Sequence, residues 1–305
     1  MRSMVGRPRL AQEFSPEGSL APSAAEAWKE YFIYGADFAG GSVLPAGIAN
    51  GLPPQLPFSD FVIRLDADSN FEWIRTMYQA TDPRIYVRYR DNVTGRFLHE
   101  GTLDLRGVAG YFNSGPSIGA EAPAFMPFNW PHPHILASSS TFTLSCADFS
   151  GAPNTVRISL HGNKIRAGRS PWKYRSDGSE RKIRQRLPYV LPVPADATNY
   201  TIGANQTIPF SASLGGEADL LITAITGVRT GAALVQLQDG AGHGRLWMDR
   251  AVYIDNLIGN GLKPNILPSP RYIVRGSTIN GVITDLSGAP NTVRLYLIGF
   301  KLYEA

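Results

Sequence analysis

Few residues of this 305-residue chain have the type and spacing that metal binding requires. Two of the five histidines stand close together as His132-Pro-His134, a spacing that could place both imidazoles on one side of an extended segment. A zinc site needs a third and usually a fourth ligand, and the corresponding segment later in the chain reads Ser269-Pro-Arg271. We therefore interpret both histidines as exposed loop residues and expect no metal.

Nucleophilic and phosphate-binding chemistry also lack a recognisable site. The single cysteine, Cys146, lies in a predicted apolar strand, where a thiol packs as a small hydrophobic side chain. It has no second cysteine with which to form an intrachain disulfide. The glycine-rich residues 239–244 lack the Lys and Ser/Thr that follow the last glycine of a phosphate loop. No Gly-x-Ser-x-Gly elbow occurs, so we expect neither an enzyme nor a cofactor.

Carboxylates leave one alternative open. Glycoside cleavage needs two facing carboxyl groups, and the sequence singles out no such pair. Asp91, Asp239, Asp148 and Asp285 each stand at the start of a predicted turn, a position that aspartate favours because its side chain bonds the local backbone. A hydrolase is thus a third-ranked hypothesis, which a deep cleft with two facing carboxylates would support.

A ten-residue stretch occurs twice. Residues 148–157 read Asp-Phe-Ser-Gly-Ala-Pro-Asn-Thr-Val-Arg, and residues 285–294 repeat nine of these ten residues at an offset of 137. The same offset matches Lys164 with Lys301 without a gap. We interpret the chain as a duplication of two related units, each closed by this turn.

Alternation of apolar and polar residues indicates half-buried strands. It occurs at residues 61–66, 85–90 and 234–238, with turn residues between them, and 31 glycines and 23 prolines favour many turns. The sequence therefore predicts an all-β protein of two tandem, internally duplicated antiparallel β-sandwich domains of jelly-roll type. The expected segments are an N-terminal arm (1–39), a first sandwich (40–166), a basic Pro-rich connector (167–199) and a second sandwich (200–305).

The N-terminal arm contains at most one short helix. Residues 23–34 could form it, with Ser23 as the cap and Glu26 three residues later, as in a capping box. Its aromatic end, from Trp28 onwards, could instead begin a strand. No apolar run is long enough to span a membrane, and the first residues lack the apolar core of a secretory signal, so we expect no membrane association and synthesis in the cytoplasm.

Positive charge is concentrated in the connector. Residues 164–186 contain nine basic and two acidic side chains, and their net charge of +7 exceeds the +4 of the whole chain. Two interpretations stay open: a solvated linker between two domains, or a surface that contacts an acidic partner or nucleic acid. A single basic loop lacks the breadth of a basic face, so nucleic acid is not the expected partner.

The closing strands end in Leu160-His-Gly-Asn-Lys164 and Leu297-Ile-Gly-Phe-Lys301, each after a Ser-Gly-Ala-Pro-Asn turn. This pattern resembles the ends of structural proteins in tailed-bacteriophage virions, where a similar turn and a Leu-x-Gly-x-Lys strand close a β-sandwich. The resemblance covers the last part of each unit. It implies a virion component of the capsid-decoration, minor-capsid, neck-collar or fibre-associated type, which would bind the major capsid, portal or neck proteins and form a homo-oligomer.

The two closing strands differ in polarity, because His161 and Asn163 correspond to Ile298 and Phe300. We expect the more apolar second strand to be buried against another subunit. The candidate interface residues are Arg7, Arg9, Trp28, Trp172, Lys173, Arg181, Lys182, Arg184, Arg186 and Phe300.

A second functional hypothesis is a carbohydrate-binding or adhesin module for attachment to a host cell surface. Its stacking residues would be one or more of Trp73, Trp130, Trp172 and Trp247, since an exposed aromatic ring can pack against a sugar.

Overall fold

The computed structural model describes residues 27–38, 58–81, 84–99, 102–110, 129–148, 154–194, 201–240, 244–259 and 263–305. These residues form antiparallel β-sheets almost throughout, and the two helices among them are single turns of four residues. The predicted all-β sandwich fold is therefore confirmed. No helix in the described ranges is long and apolar enough to cross a membrane.

The first sandwich packs two sheets against each other. One has the strand order β1-β9-β3-β7, and the other has the order β2-β8-β4-β5 with β6 also beside β4. Its elements are β1 (Ala27–Asp37), β2 (Ser59–Arg64), β3 (Asn70–Ala80), β4 (Ile85–Asp91), β5 (Arg96–Phe97), β6 (Leu103–Asp104), α1 (Leu105–Val108), β7 (Asn129–Leu136), β8 (Thr141–Asp148) and β9 (Val156–Ala167).

The second sandwich has the corresponding topology. Its sheets run β10-β18-β13-β16, with β11 also beside β18, and β12-β17-β14-β15. Its elements are β10 (Ile183–Val193), β11 (Thr201–Ile202), β12 (Thr207–Ser213), β13 (Asp219–Arg229), β14 (Ala233–Asp239), β15 (Val252–Tyr253), α2 (Ile254–Leu257), β16 (Asn265–Ile273), β17 (Thr278–Asp285) and β18 (Asn291–Glu304). Duplication remains our interpretation of this shared order.

The N-terminal strand corrects two expectations. Residues 27–37 form β1, which pairs with β9 along its whole length, so the aromatic stretch is a strand and not the end of a helix. Residues 1–26 lie outside the described part of the chain. Strand β1 belongs to the first sandwich, and β10, within the expected connector, pairs with β18 of the second. Both sandwiches thus begin earlier than the sequence suggested.

The repeated turn has the same side-chain hydrogen bond in both sandwiches. The Asn154 amide donates to Asp148 at 3.0 Å, and the Asn291 amide donates to Asp285 at 3.0 Å. Gly288 has the positive φ that the turn requires, +70°, whereas residues 149–153 of the first copy lie outside the described ranges. Burial alone would raise the pKa of Asp285, but hydrogen bonds from backbone N–H groups, Ser287 and Asn291 outweigh it and lower that pKa to about 2.

The glycine of each Leu-x-Gly-x-Lys strand faces a β-bulge. Gly162 pairs with β3 where the register shifts between Trp73 and Arg75, and Gly299 pairs with β13 where it shifts between Ile222 and Ala224. A Cβ on either glycine would lie 1.9 Å from a carbonyl oxygen of the bulged strand. Only glycine permits this close approach of two backbones.

Replacing Gly299 with alanine should lower the free energy of unfolding by about 2–3 kcal/mol, because the new methyl group overlaps the Leu221 carbonyl and forces the strands apart. The matched control is Gly216→Ala, where a Cβ meets no atom within 4 Å and the change should stay within about 0.5 kcal/mol. Urea unfolding followed by circular dichroism measures both. Equal midpoints for the two variants would contradict the close-packed bulge.

Candidate functional site

The basic connector folds onto the second sandwich. The Arg181 N–H donates to the Lys173 carbonyl at 2.7 Å, and Tyr174 and Glu180 form a bridge, so residues 173–181 make a closed hairpin. The chain then continues directly into β10. The connector is therefore a part of the second sandwich, and not a solvated linker.

Arg181 anchors this hairpin. Its guanidinium nitrogen lies 2.9 Å from a carboxylate oxygen of Asp219 and 2.5 Å from one of Glu304. Its Cζ lies 5.4 Å from the centre of the Tyr272 ring. Burial raises the pKa of Glu304, but hydrogen bonds and charge from Arg181 and Arg175 outweigh burial and hold that pKa below its ordinary value. Arg181, expected at an external interface, thus acts inside the chain.

A cavity of about 520 Å³ opens between the connector and the second sandwich. Four arginines line it, and one of them, Arg175, shares the carboxylate of Glu304 with Arg181. Its main lining residues are Arg169, Tyr174, Arg175, Arg181, Arg245 and Tyr272. Asp239 also lines the cavity, and Arg181, Arg175 and Arg245 each have a carboxylate partner, so much of the positive charge is compensated within the chain.

Glu30 on β1 links the two sandwiches through charge. Its carboxylate lies 2.6 Å from Arg166 of β9 and 3.2 Å from Arg271 of β16. Arg271 is fully buried and also lies 2.8 Å from Asp239 and 5.3 Å from the ring centre of Trp247. One buried guanidinium therefore joins a strand of the first sandwich to a sheet of the second.

The backbone of β1 continues this contact. The Ile33 N–H donates to the Trp247 carbonyl at 3.0 Å, and the Asp249 N–H donates to the Ile33 carbonyl at 3.1 Å. The Gly35 N–H donates to the Asp249 carboxylate at 2.8 Å. The outer edge of β1 is thus paired with a segment of the second sandwich, and it presents no free strand edge there.

Polar side chains fill the middle of the contact. Arg75 donates to the amide oxygen of Asn265 and, at 2.8 Å, to the Ile266 carbonyl. The Asn256 amide donates to the Ser159 hydroxyl at 3.1 Å. Arg75 is 7% exposed and Asn256 is fully buried. The face of β9 and β3 that points away from the core of the first sandwich is therefore covered by the second sandwich.

His161 is the titratable group at the centre of this contact. Its ring shares a hydrogen bond of 2.8 Å with the Tyr31 hydroxyl. Burial, and then the charge of Arg75, hold the pKa of His161 well below its usual range, against a hydrogen bond to the backbone of Asn256 that raises it. Burial also raises the pKa of Tyr31. His161 is therefore neutral at physiological pH.

The remaining interface candidates lie at several places. Trp28 is half-buried beneath Arg245, and Trp172 lies beneath Lys173. Phe300 is 38% exposed on β18. Three exposed cations follow along the start of β10 without an ion pair in the described part of the chain: Lys182, Arg184 and Arg186. Arg7 and Arg9 lie outside the described residues.

Tryptophans proposed to stack on sugars are mostly internal. Trp73 and Trp247 are fully buried, and Trp130 packs edge-on against Trp73 at 5.0 Å between ring centres. Trp130 and Trp172 are both half-buried, and of these two Trp172 lies in the connector. The stacking role expected for Trp73 and Trp247 is wrong, because both rings pack in sandwich cores.

The cysteine and the two neighbouring histidines considered for chemistry all lie on strands of the first sandwich. Cys146 is buried in the first core, and burial raises its pKa. His132 and His134 lie on β7, within a strand and not in a loop. The described ranges contain no group of three or more His, Cys, Asp or Glu side chains that could hold a metal ion. Burial lowers the pKa of His134.

Changing Glu30 to glutamine should destabilise the chain by about 3–5 kcal/mol, because it leaves the buried Arg271 without one of its two carboxylates. The control is Glu217→Gln, which removes a carboxylate that is 57% exposed and paired with Lys301 and should cost at most about 1 kcal/mol. Urea unfolding measures both. Equal losses would show that Glu30 does not hold the two sandwiches together.

Acid should weaken the contact through His161. Its folded pKa is below the unfolded value of about 6.5, so the unfolded chain binds more protons and stability falls as the pH drops below about 6.5, by up to about 1.4 kcal/mol per pH unit. In a His161→Gln variant, this fall in the free energy of unfolding between pH 6.5 and 5 should be absent. Unfolding free energies of both proteins across that range test the point, and parallel pH profiles would refute it.

No family model matches this chain, and no curated protein matches it. Among solved structures, a peptide-N(4)-(N-acetyl-β-D-glucosaminyl) asparagine amidase is 11% identical over 88% of this chain and 96% of its own, with a TM-score of 0.22. A structure of infectious bursal disease virus Gt strain is 11% identical over 93% and 82%, with a TM-score of 0.21. The CBM22-1–CBM22-2 tandem domain of Xyn10C from Paenibacillus barcinonensis is 10% identical over 92% and 100%, with a TM-score of 0.16. Likeness at these scores carries no argument about function.

Proposed function

We propose that this chain is a non-enzymatic structural component of a bacteriophage particle, which binds capsid or head–tail junction proteins and assembles through the surfaces of its sandwiches. The observation that carries the proposal is the joining of two jelly-roll sandwiches into one block. An ion pair between Glu30 and Arg271 and backbone hydrogen bonds along the edge of β1 connect them. Jelly rolls of this kind recur in viral capsids.

The exposed cations of β10 are the natural contact with an acidic neighbour. Lys182, Arg184 and Arg186 are exposed and form no ion pair within the described residues, so their charges are available to a partner. Leu187 and Val190, 40% and 48% exposed, follow on the same strand. A basic patch beside apolar side chains suits a protein interface in which charge directs the encounter and apolar contact follows.

Replacing Arg184 and Arg186 with serine should weaken binding to purified particles at least tenfold and reduce its dependence on salt, because two charges that attract an acidic surface are lost. The matched control replaces two exposed arginines of the first sandwich, Arg64 and Arg96, with serine. Co-sedimentation of the labelled chain with particles across a salt series measures both. Failure of the unmodified chain to bind or label particles would contradict the proposed function.

A carbohydrate-binding module is the alternative, and Trp172 carries what remains of it, since its ring is partly exposed beside Lys173. A glycan array tests this alternative. It would be favoured over a particle component if the purified chain bound a glycan and the Trp172→Ala variant did not.

A further inference from the structure

Equivalent positions of the two closing strands have opposite surroundings. The outward residues of β9 correspond to those of β18 at the offset of 137, as Ser159 with Tyr296, His161 with Ile298, and Asn163 with Phe300. The three residues of β9 are at most 2% exposed, because the second sandwich covers them. Phe300 is 38% exposed. The second sandwich therefore presents the face that the first one buries.

A row of apolar residues crosses this face of the sheet. Strand pairing places Val190, Ile298, Ala224 and Ile266 in one row over β10, β18, β13 and β16. At its two ends Val190 is 48% exposed and Ile266 is 57% exposed, whereas Ala224 between them is 4% exposed. We call this the outer face, and its residues are Pro188, Val190, Leu221, Ala224, Ile266, Tyr296, Ile298 and Phe300. Such a face is unusual on a monomer and typical of an interface.

Within the chain, the corresponding face is covered by β16, through Asn265 and Ile266, and by a second segment. Residues 247–257, which include β15 and α2, contact it through the backbone of Ile33 and through the Asn256–Ser159 hydrogen bond. All four residues of α2 are buried. Together with β16, this segment covers the outward face of β9.

The first sandwich has the equivalent segment, and part of that segment is exposed. Elements β6 and α1 correspond to β15 and α2, and both are followed by a glycine that bridges the central strand: Gly110 to Met77, and Gly259 to Thr226. We call residues 102–108 the free segment. Thr102, Arg106 and Gly107 in it are exposed, whereas Leu105 is buried in the core of the first sandwich.

We propose that the outer face binds the free segment of a second copy of this chain. This contact between two chains, arranged head to tail, would have the same geometry as the contact between the two sandwiches of one chain. Because the two surfaces differ, the interface is heterologous, and it can continue from copy to copy. This inference rests on the proposed structural function, for which it names one self-assembly surface.

The side chains distinguish the two contacts. Inside the chain, Arg75 donates to Asn265 and Asn256 donates to Ser159, so polar groups face polar groups. At the outer face Ala224 stands at the position of Arg75, and at the free segment Gly107 stands at the position of Asn256. An apolar face opposite a glycine leaves no buried polar side chain without a hydrogen-bond partner.

The edge of β10 supports the same geometry. Val190 pairs with Ile298 as Ile33 pairs with His161, so the two residues are equivalent. Pro188 and Pro192 have no N–H and so cannot donate to β18. The N–H positions of this set of alternate residues therefore lie on the side of β10 away from β18. Val190 therefore has the one outward N–H between the two prolines. In the first sandwich the equivalent N–H of Ile33 binds a carbonyl of the covering segment at 3.0 Å.

Cysteine trapping tests the contact directly. The position pair equivalent to Asn256–Ser159 is Gly107 of one copy with Tyr296 of another, and the natural Cys146 is fully buried. A mixture of Gly107→Cys and Tyr296→Cys chains should form, under mild oxidation, at least tenfold more cross-linked pairs than either variant alone. No cross-link in the mixture would overturn the inference. So would equal cross-linking of Tyr296→Cys alone, because that product requires two outer faces to meet.

A matched pair of valines provides the second measurement. Val190→Asp should reduce self-association of the purified chain at least tenfold in sedimentation velocity, whereas Val282→Asp, on β17 and 37% exposed, should leave it unchanged. Equal effects would overturn the inference. Neither experiment uses particles, so a chain that binds particles but does not self-associate would refute this contact and leave the proposed function in place.

Discussion

Strand β1 is the element on which the structure depends, because it is buried on both faces. Phe32 and Tyr34 pack in the core of the first sandwich, and Tyr31 and Ile33 pack in the core of the second. A strand that belongs to two cores couples their packing, since neither core can close without it. The buried charge of Glu30, which precedes this run, requires Arg271 of the second sandwich in place.

The repeated motifs describe the construction of each sandwich and not its chemistry. The Asp148–Asn154 and Asp285–Asn291 hydrogen bonds fix the same turn twice. Gly162 and Gly299 admit a bulge at the same point of each sheet. What differs between the copies is the outward side of the closing strand, which is polar where a neighbour is present in the chain and apolar where it is not. That difference underlies the proposed assembly.

Period-2 alternation was enough to predict the sandwiches, because β2, β4, β14 and β18 each have one face in a core and one outside it. It failed at β1, where apolar residues occupy both faces and the alternation disappears, as is usual for a strand buried on both sides. The contact between the sandwiches depends on residues distant in sequence, such as Glu30 and Arg271, and no local pattern marks them. The polarity difference at His161 and Ile298 was the one visible signal.

The central claim is that β1 makes the two sandwiches one cooperative unit, and native-state hydrogen exchange in increasing denaturant tests it most directly. Amides of β1, of β9 in the first sandwich and of β16 in the second should converge on one opening free energy, since a shared strand cannot be released from one core alone. Separate opening of β16, with β1 and β9 still protected, would contradict the account.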